Sequence, residues 1–238
     1  MATFLRANPL VSVIIPARNE ERYVAGALAS VAAQTWLLER VEVVVVDNGS
    51  TDATAAAVRA FTARERRLTV RLLCEPVAGV SRAKNRGARA AVGHWLIFLD
   101  ADSRLAPHLV ERVARRAQAG RTAATIRIVA DTRDPLDRAF FGILEFGKRL
   151  FGVRAQMFYC EREPFIRLGG FDETLALAED CEFLDRLRGA GIPVRHMAES
   201  WIATSPRRLH RGAWRLGMLS MFTRWALAKR GIGRRWRY

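Results

Sequence analysis

The chain has 238 residues, is 50% hydrophobic and 26% charged, and carries a formal net charge of +15. This balance excludes a disordered or fibrous chain, and the length buries a full core without disulfide or metal staples, as one ordinary domain or two small ones. Residues 201–238 hold ten of the 39 Lys and Arg and no Asp or Glu, so the first 200 residues carry only +5 and the basic character belongs to a tail.

The chain reads as alternating strands and helices. Val11–Pro16 is a short β-branched run stopped by proline, as a buried strand should be. Asn19 is placed to cap a helix from Glu20 to about Ala33. Val41–Asp47 is a second buried strand, followed by the turn Asn48-Gly49-Ser50-Thr51 and a helix from Asp52 to about Phe61. Leu68–Cys74 reads as a third strand, Ser81 as the cap of a helix to Ala91, and Trp95–Leu99 as a fourth strand ending in Asp100-Ala-Asp102. Pro107 opens a helix to about Ala119, and Thr122–Val129 is a fifth strand. Four β-α units in succession predict an α/β fold, a mostly parallel Rossmann-like sheet with helices on both faces. Beyond residue 131 the pattern loosens: Pro135–Phe151 looks helical, Gln156–Cys160 extended, and Glu179–Ala190 helical. The chain has no Pro-, Gly- or Ser-rich linker and no internal repeat.

Polar residues gather where these strands end. In an open parallel sheet, ligands bind in the crevice beyond the carboxyl ends of the strands. Strand one ends in Pro16-Ala-Arg18-Asn19-Glu20, strand two in Asp47-Asn-Gly-Ser-Thr-Asp52 and strand four in Asp100-Ala-Asp102. One acid after a strand is ordinary turn chemistry; three clusters on one rim are not. Asp100 and Asp102 can aim two carboxylates at one point, where they repel unless a cation lies between them. A hard divalent ion, Mg²⁺ or Mn²⁺, suits carboxylate and phosphate oxygens. The competing reading makes Asp102 or Ser103 the start of a loop before Pro107.

No Gly-x-Gly-x-x-Gly follows the first strand and no P-loop pattern occurs, so dinucleotide redox chemistry and P-loop ATPase activity lose support. Arg82 and Lys84 fall on the first turn of a helix, where they either meet a nucleotide or form a solvated face. Glu179-Asp180 opens a helix, either as dipole stabilisers or with a carboxylate facing an acceptor hydroxyl as general base.

Together these segments resemble the family 2 glycosyltransferases, with their GT-A type nucleotide-sugar-binding fold. The resemblance is carried by Val-Ser-Val-Ile-Ile-Pro-Ala-Arg-Asn-Glu20, Val-Val-Val-Asp47-Asn-Gly-Ser-Thr-Asp52, Gly79-x-x-x-Ala-Lys-Asn-x-Gly87, Phe-Leu-Asp100-Ala-Asp102, Gly-Gly-Phe-Asp172 and Glu179-Asp180, across roughly residues 10 to 200. It implies an inverting hexosyltransferase-like enzyme acting from a UDP- or GDP-sugar onto a hydroxyl of a lipid or small acceptor. Pro16, Arg18 and Glu20 would line the nucleoside pocket and Asp47 would bond the base. Lys84 stands where the family often has Arg, toward the nucleotide. Asp100 would face the ribose and metal, and Asp102 would ligate Mg²⁺ or Mn²⁺ on the diphosphate. Asp180 would be the catalytic base, with Glu179 and Gly170 on the acceptor side. Arg207 and Arg208 resemble a basic loop that covers the diphosphate.

The resemblance implies a transferase domain over residues 1–205, with a nucleotide-binding half at about 10–130 and an acceptor half at about 131–205, and a basic helical tail over 206–238. The Gln-x-x-Arg-Trp sequence of processive members is absent, which argues against polymer synthesis. Three scattered cysteines (Cys74, Cys160, Cys181) and no leader peptide favour a cytoplasmic, reducing setting. In the tail, Trp214, Met218, Met221, Phe222 and Trp225 form one stripe of a helix from Ala213 to Ala228. This helix either packs on the domain or lies peripherally on an anionic membrane surface such as the inner face of the plasma membrane. A nucleic-acid partner is not expected, because no such motif supports one. Three rivals to a glycosyltransferase stay open at this level: a nucleotidyltransferase of related fold, a basic membrane-surface or nucleic-acid-binding module without catalysis, and a catalytically dead nucleotide-sugar-sensing relative, against which the acids at positions 100, 102 and 180 argue.

Overall fold

The computed structural model describes residues 11–150, 157–175 and 177–210. The stripe of the tail therefore lies outside the described residues, as does Phe151 at the end of the predicted helix. Among the described residues the strands are β1 (Val11–Ala17), β2 (Val41–Asp47), β3 (Thr69–Cys74), β4 (Trp95–Phe98), β5 (Ser103–Leu105), β6 (Ala123–Ala130), β7 (Phe158–Glu161) and β8 (Val194–Thr204). The helices are α1 (Val24–Ala32), α2 (Thr54–Arg64), α3 (Val80–Ala90), α4 (Leu109–Gln118), α5 (Pro135–Leu150), α6 (Arg162–Arg167) and α7 (Glu179–Gly189).

The strands form one sheet in the order β3-β2-β1-β4-β7-β6-β8-β5. The first four are parallel, with Ile14 of β1 registered against Val44 of β2 and Phe98 of β4. β7 runs antiparallel to both β4 and β6, and β8 runs parallel to β6. The expected mostly parallel α/β sheet flanked by helices is what the chain builds.

Burial on both faces explains why β1 and β2 are apolar apart from Ser12 and Glu42, whose side chains hydrogen-bond each other at 2.6 Å, and the terminal Asp47. Val11, Val13 and Ile15 of β1, with Val41, Val43 and Val45 of β2, enter a core shared with Val24, Leu28 and Val31 of α1 and Leu109, Val110 and Val113 of α4. Ile14, Val44 and Val46 point to the opposite core, under α3, α6 and α7. Five phenylalanines fill that second core, with Phe165 and Phe183 ring centroids 4.7 Å apart and Phe98 and Phe171 5.0 Å apart. Gly87 lets α3 lie directly on the sheet, since a Cβ there would stand 2.5 Å from Ile14 Cγ2.

The local signals at several helix starts were overruled by tertiary contacts. The first helix begins at Val24, not Glu20, and Asn19 does not cap it. Asn19 sits at φ 56°, and its Oδ1 accepts the Thr51 N–H at 2.8 Å, so the side chain ties the β1 loop to the β2 loop. The α3 N-cap is Gly79, whose N–H donates to Asn48 Oδ1 at 2.8 Å, and Ser81 lies inside the first turn. Three elements have no counterpart in the sequence reading. β5 occupies what was read as loop before Pro107, α6 is a short helix behind β7, and β8 is eleven residues long.

β8 matters most for the site. Its last residue, Thr204, is registered against Ser103 of β5, and the two hydroxyls are 2.9 Å apart. The Ser205 N–H then donates to the Asp102 carbonyl at 3.1 Å. The chain after β8 is thereby fastened beside the end of β4.

A second fastening joins α3 to the Gly169-Gly170-Phe171 turn. The buried Asn85 side chain accepts the Phe171 N–H at 2.8 Å and donates to the Phe171 carbonyl at 2.9 Å. Gly170, at φ 71°, has no room for a Cβ, which would stand 2.5 Å from Asn85 Oδ1. Asn85→Ala leaves both buried backbone groups of Phe171 without these partners, and we expect a loss of about 2 kcal/mol of stability in urea unfolding.

Candidate active site

The loops after β1 and β2 are knitted by side chain to backbone hydrogen bonds. The Asn19 N–H donates to Ser50 Oγ at 3.0 Å, Glu20 N–H to Thr54 Oγ1 at 2.7 Å and Glu21 N–H to Asp52 Oδ2 at 3.1 Å. Asp52 is a structural residue. Burial alone would raise its pKa, but hydrogen bonds from the Thr54 hydroxyl and N–H and from Glu21 hold it below the ordinary carboxylate range. Asp47, at the end of β2, accepts the Ser50 N–H at 3.0 Å and stays half-buried. Pro16 is half-buried at the end of β1, and Arg18 is exposed just beyond it.

Two clusters of opposite charges stand beyond these strand ends. The first joins Glu20, Asp102 and Arg207. Arg207 Nε donates to Asp102 Oδ2 at 2.8 Å, Arg207 Nη2 donates to Glu20 Oε1, and the guanidinium lies 4.3 Å from the Tyr23 ring centroid. The Asp102 side chain is only 3% exposed. Burial works against the Arg207 charge, but Glu20 and Asp102 outweigh it and raise its pKa.

The second cluster surrounds Lys84. Its Nζ donates to Glu179 Oε1 at 2.8 Å, and both side chains are 11% exposed. Burial alone would favour the neutral amine, but the carboxylates of Glu179, Asp100 and Asp180 overcome it and hold the ammonium well above the ordinary lysine pKa. Lys84 is therefore a buried internal cation, and the solvated-face reading is corrected. Arg82, one residue pair away, is the surface member and meets Glu173 at 3.0 Å.

Asp100 and Asp102 are two residues apart on the same turn, so the clusters adjoin. The fold joins Glu20 with Asp102 and Arg207, and Lys84 with Asp100, Glu179 and Asp180; Pro16, Arg18 and Asp47, expected with Glu20 at the nucleoside, stand at or just beyond the ends of β1 and β2. Gly170 stands behind them in the Asn85 clamp. Arg208 follows Arg207 in the 3₁₀ turn Pro206–Arg208.

The acidic first turn of α7 is presented by an uncommon backbone. Ala178, its N-cap, adopts the left-handed conformation at φ 64°, and its carbonyl accepts the Glu182 N–H at 3.1 Å. Tyr23 and Ala178 escaped sequence reasoning, because an aromatic and an alanine carry no local sign of these roles.

Among the described residues no group of three or more His, Cys, Asp or Glu side chains forms a metal cage. The donor set still fits a hard divalent ion of the kind that keeps several non-protein ligands. Asp102 is a buried carboxylate, Asp100 adjoins it, and the guanidinium drawn onto Asp102 demonstrates that the site attracts a cation.

Comparison with known proteins agrees with this geometry. The family model described as Glycosyl transferase family 2 matches residues 12–165, and the chain belongs to that family. Validoxylamine A glucosyltransferase from Streptomyces hygroscopicus subsp. jinggangensis is 31% identical over 278 aligned positions, covering 94% of this chain and 65% of that protein. Glycosyltransferase AglE of Haloferax volcanii is 39% identical over 100 residues, 42% of this chain and 32% of AglE. The mannosyltransferase PcManGT from Pyrobaculum calidifontis, solved in complex with GDP-Man and Mn²⁺, superposes with a TM-score of 0.73 at 26% identity, over 93% of this chain and 64% of that one. TarS 1–349 of S. aureus, solved in complex with UDP, shares the fold with a TM-score of 0.65 at 20% identity, over 82% of this chain and 61% of that one. The fold is accordingly GT-A-like, and the chain spans about 60–65% of the length of the validoxylamine glucosyltransferases it matches. Among the described residues no helix is long and apolar enough to cross a membrane.

Lys84→Met would remove the buried ammonium from the carboxylates of Glu179, Asp100 and Asp180. We expect about 3 kcal/mol of destabilisation in chemical denaturation, with Arg82→Met, at the neighbouring surface pair, costing less than 1 kcal/mol.

Proposed function

We propose that this chain is a metal-dependent, inverting, non-processive glycosyltransferase. It moves a sugar from a UDP- or GDP-linked donor to a hydroxyl of a lipid or small-molecule acceptor. One observation carries the reading: in a family 2 chain, Asp47, Asp100 and Asp102 stand at the carboxyl ends of parallel strands, and Asp180 opens α7 close enough to Lys84 to act on the same buried ammonium as Asp100. The likeness to a mannosyltransferase bound to GDP-Man and Mn²⁺ supports the donor class and the metal. The likeness to a validoxylamine A glucosyltransferase supports a small-molecule acceptor.

In this reading residues 1–205 form the transferase domain. Pro16, Arg18, Glu20 and Asp47 hold the nucleoside, with Asp47 accepting from the base. Lys84, Arg207 and Arg208 supply positive charge toward the diphosphate. Asp102, helped by Asp100, would hold Mg²⁺ or Mn²⁺, which supplies charge stabilisation for the departing diphosphate. Asp180 takes the proton of the acceptor hydroxyl as its oxygen bonds the anomeric carbon, and the bond from that carbon to the diphosphate oxygen breaks on the opposite side. The nucleoside diphosphate leaves with the bonding electrons, and configuration inverts. Lys84, clamped by Glu179, places its positive charge in the field of Asp180 and Asp100. Asp180 lies beyond the matched span of 12–165, so its role leans on the acidic turn of α7 and on the alignment covering 94% of the chain.

Two variants test the assignment. Asp102→Asn should weaken Mn²⁺-dependent binding of UDP or GDP at least tenfold by calorimetry; unchanged affinity refutes the metal role. Asp180→Asn should leave that affinity within twofold and reduce transfer more than a thousandfold in a radiolabelled-sugar assay, the scale expected when a general base is lost. Release of pyrophosphate instead of a nucleoside diphosphate would identify a nucleotidyltransferase.

A further inference from the structure

Arg207 makes a contact that opposes loading of the active site. Its guanidinium lies on Asp102 Oδ2 at 2.8 Å and on Glu20 Oε1, with side-chain exposures of 21% for Arg207, 3% for Asp102 and 13% for Glu20. A divalent ion on that carboxylate would stand close to the guanidinium, and two cations at that separation repel, so the contact opposes metal binding. The other Asp102 oxygen, Oδ1, faces the Ser103 hydroxyl at 3.4 Å.

We propose that Arg207 is an exchangeable internal cation. It neutralises Asp102 and Glu20 while the site is empty, and it transfers its guanidinium from carboxylate to phosphate when the divalent ion and the donor diphosphate arrive. This rests on the metal and donor reading above. The anchoring of the loop favours a side-chain movement over a loop movement. Ser205 is bound to the Asp102 carbonyl at 3.1 Å, Thr204 meets Ser103 at 2.9 Å, and Ser205 Oγ accepts the Arg207 N–H at 3.4 Å. The Arg207 backbone is thereby held beside Asp102, whereas its long side chain keeps a solvent-facing edge. Tyr23 offers a flat ring on which the guanidinium rests at 4.3 Å, a contact that tolerates sliding better than a further directional hydrogen bond would. The consequence is coupling: the ion binds poorly alone, and the diphosphate helps it by giving Arg207 another anionic partner.

The test is Mn²⁺ binding to the full chain without nucleotide, by calorimetry, for wild type, Arg207→Ala, Arg207→Lys and Arg104→Ala. Arg104 is the charge control: it lies on β5 two residues after Asp102 but pairs with Asp131 at 3.4 Å. Arg207→Ala should bind Mn²⁺ about tenfold more tightly than wild type, the scale of one lost charge-assisted contact. Arg207→Lys, whose single ammonium cannot bridge both carboxylates, should fall between the two, and Arg104→Ala should stay within twofold. At saturating Mn²⁺, UDP or GDP should bind Arg207→Ala more weakly than wild type. Thermal unfolding checks that each variant folds, and Arg207→Lys carries the comparison if Arg207→Ala does not. Equal or weaker Mn²⁺ binding in the Arg207 variants overturns the exchange while leaving the transferase reading intact, as does an equal gain in Arg104→Ala. Absence of Mn²⁺ binding in every variant, with and without UDP or GDP, overturns both.

Discussion

Carboxylates delivered to one rim of a sheet repel each other, and the site is organised by how that repulsion is answered. Asp47, Asp100 and Asp102 arrive there because parallel strands send their carboxyl ends the same way. Glu179 and Asp180 arrive on the first turn of α7. Two cations offset them from inside the protein. Lys84 reaches out of α3 to Glu179 in the field of Asp100 and Asp180, and Arg207 reaches from the turn after β8 to Asp102 and Glu20. The two differ in burial. Lys84 is enclosed with Glu179, so it reads as a fixed part of the site, whereas the Arg207 side chain keeps an open edge.

The rest of the fold brings these distant residues to one place. The phenylalanine core under α3, α6 and α7 sets the position of α7 relative to the sheet, and the Asn85 clamp fixes the turn that leads toward it. Gly87 allows α3 to approach the sheet closely enough for its polar face to reach the rim. β8 performs the corresponding task for Arg207, since its pairing with β5 and β6 ends beside Asp102. The departure of Ala178 into the left-handed region fits the same pattern, because strained backbone is found where side chains have to be aimed.

How much was legible follows from the range of each signal. β1 and β2 were readable because a strand buried on both faces needs a nearly continuous apolar run, and Val43–Val46 is one. Asn19 was misread because an asparagine before acidic residues is a good cap locally, yet its carbonyl oxygen is taken by Thr51 from the next loop. β5 has three residues and β8 opens with the mixed pattern Val-Arg-His-Met-Ala-Glu, so neither has a period long enough to read. Lys84 looked equally suited to solvent, because the carboxylate that buries it lies 95 residues further on.

The sequence by itself determined the order of the βα units, the acids at the strand ends and the family, because each rests on short runs of neighbouring residues. Only the tertiary structure decided which cation answers which acid. Arg207 is 105 residues from Asp102 and 187 from Glu20. No local pattern specifies such a pairing; it arises when β8 finds its place between β6 and β5 and carries the guanidinium to the end of β4.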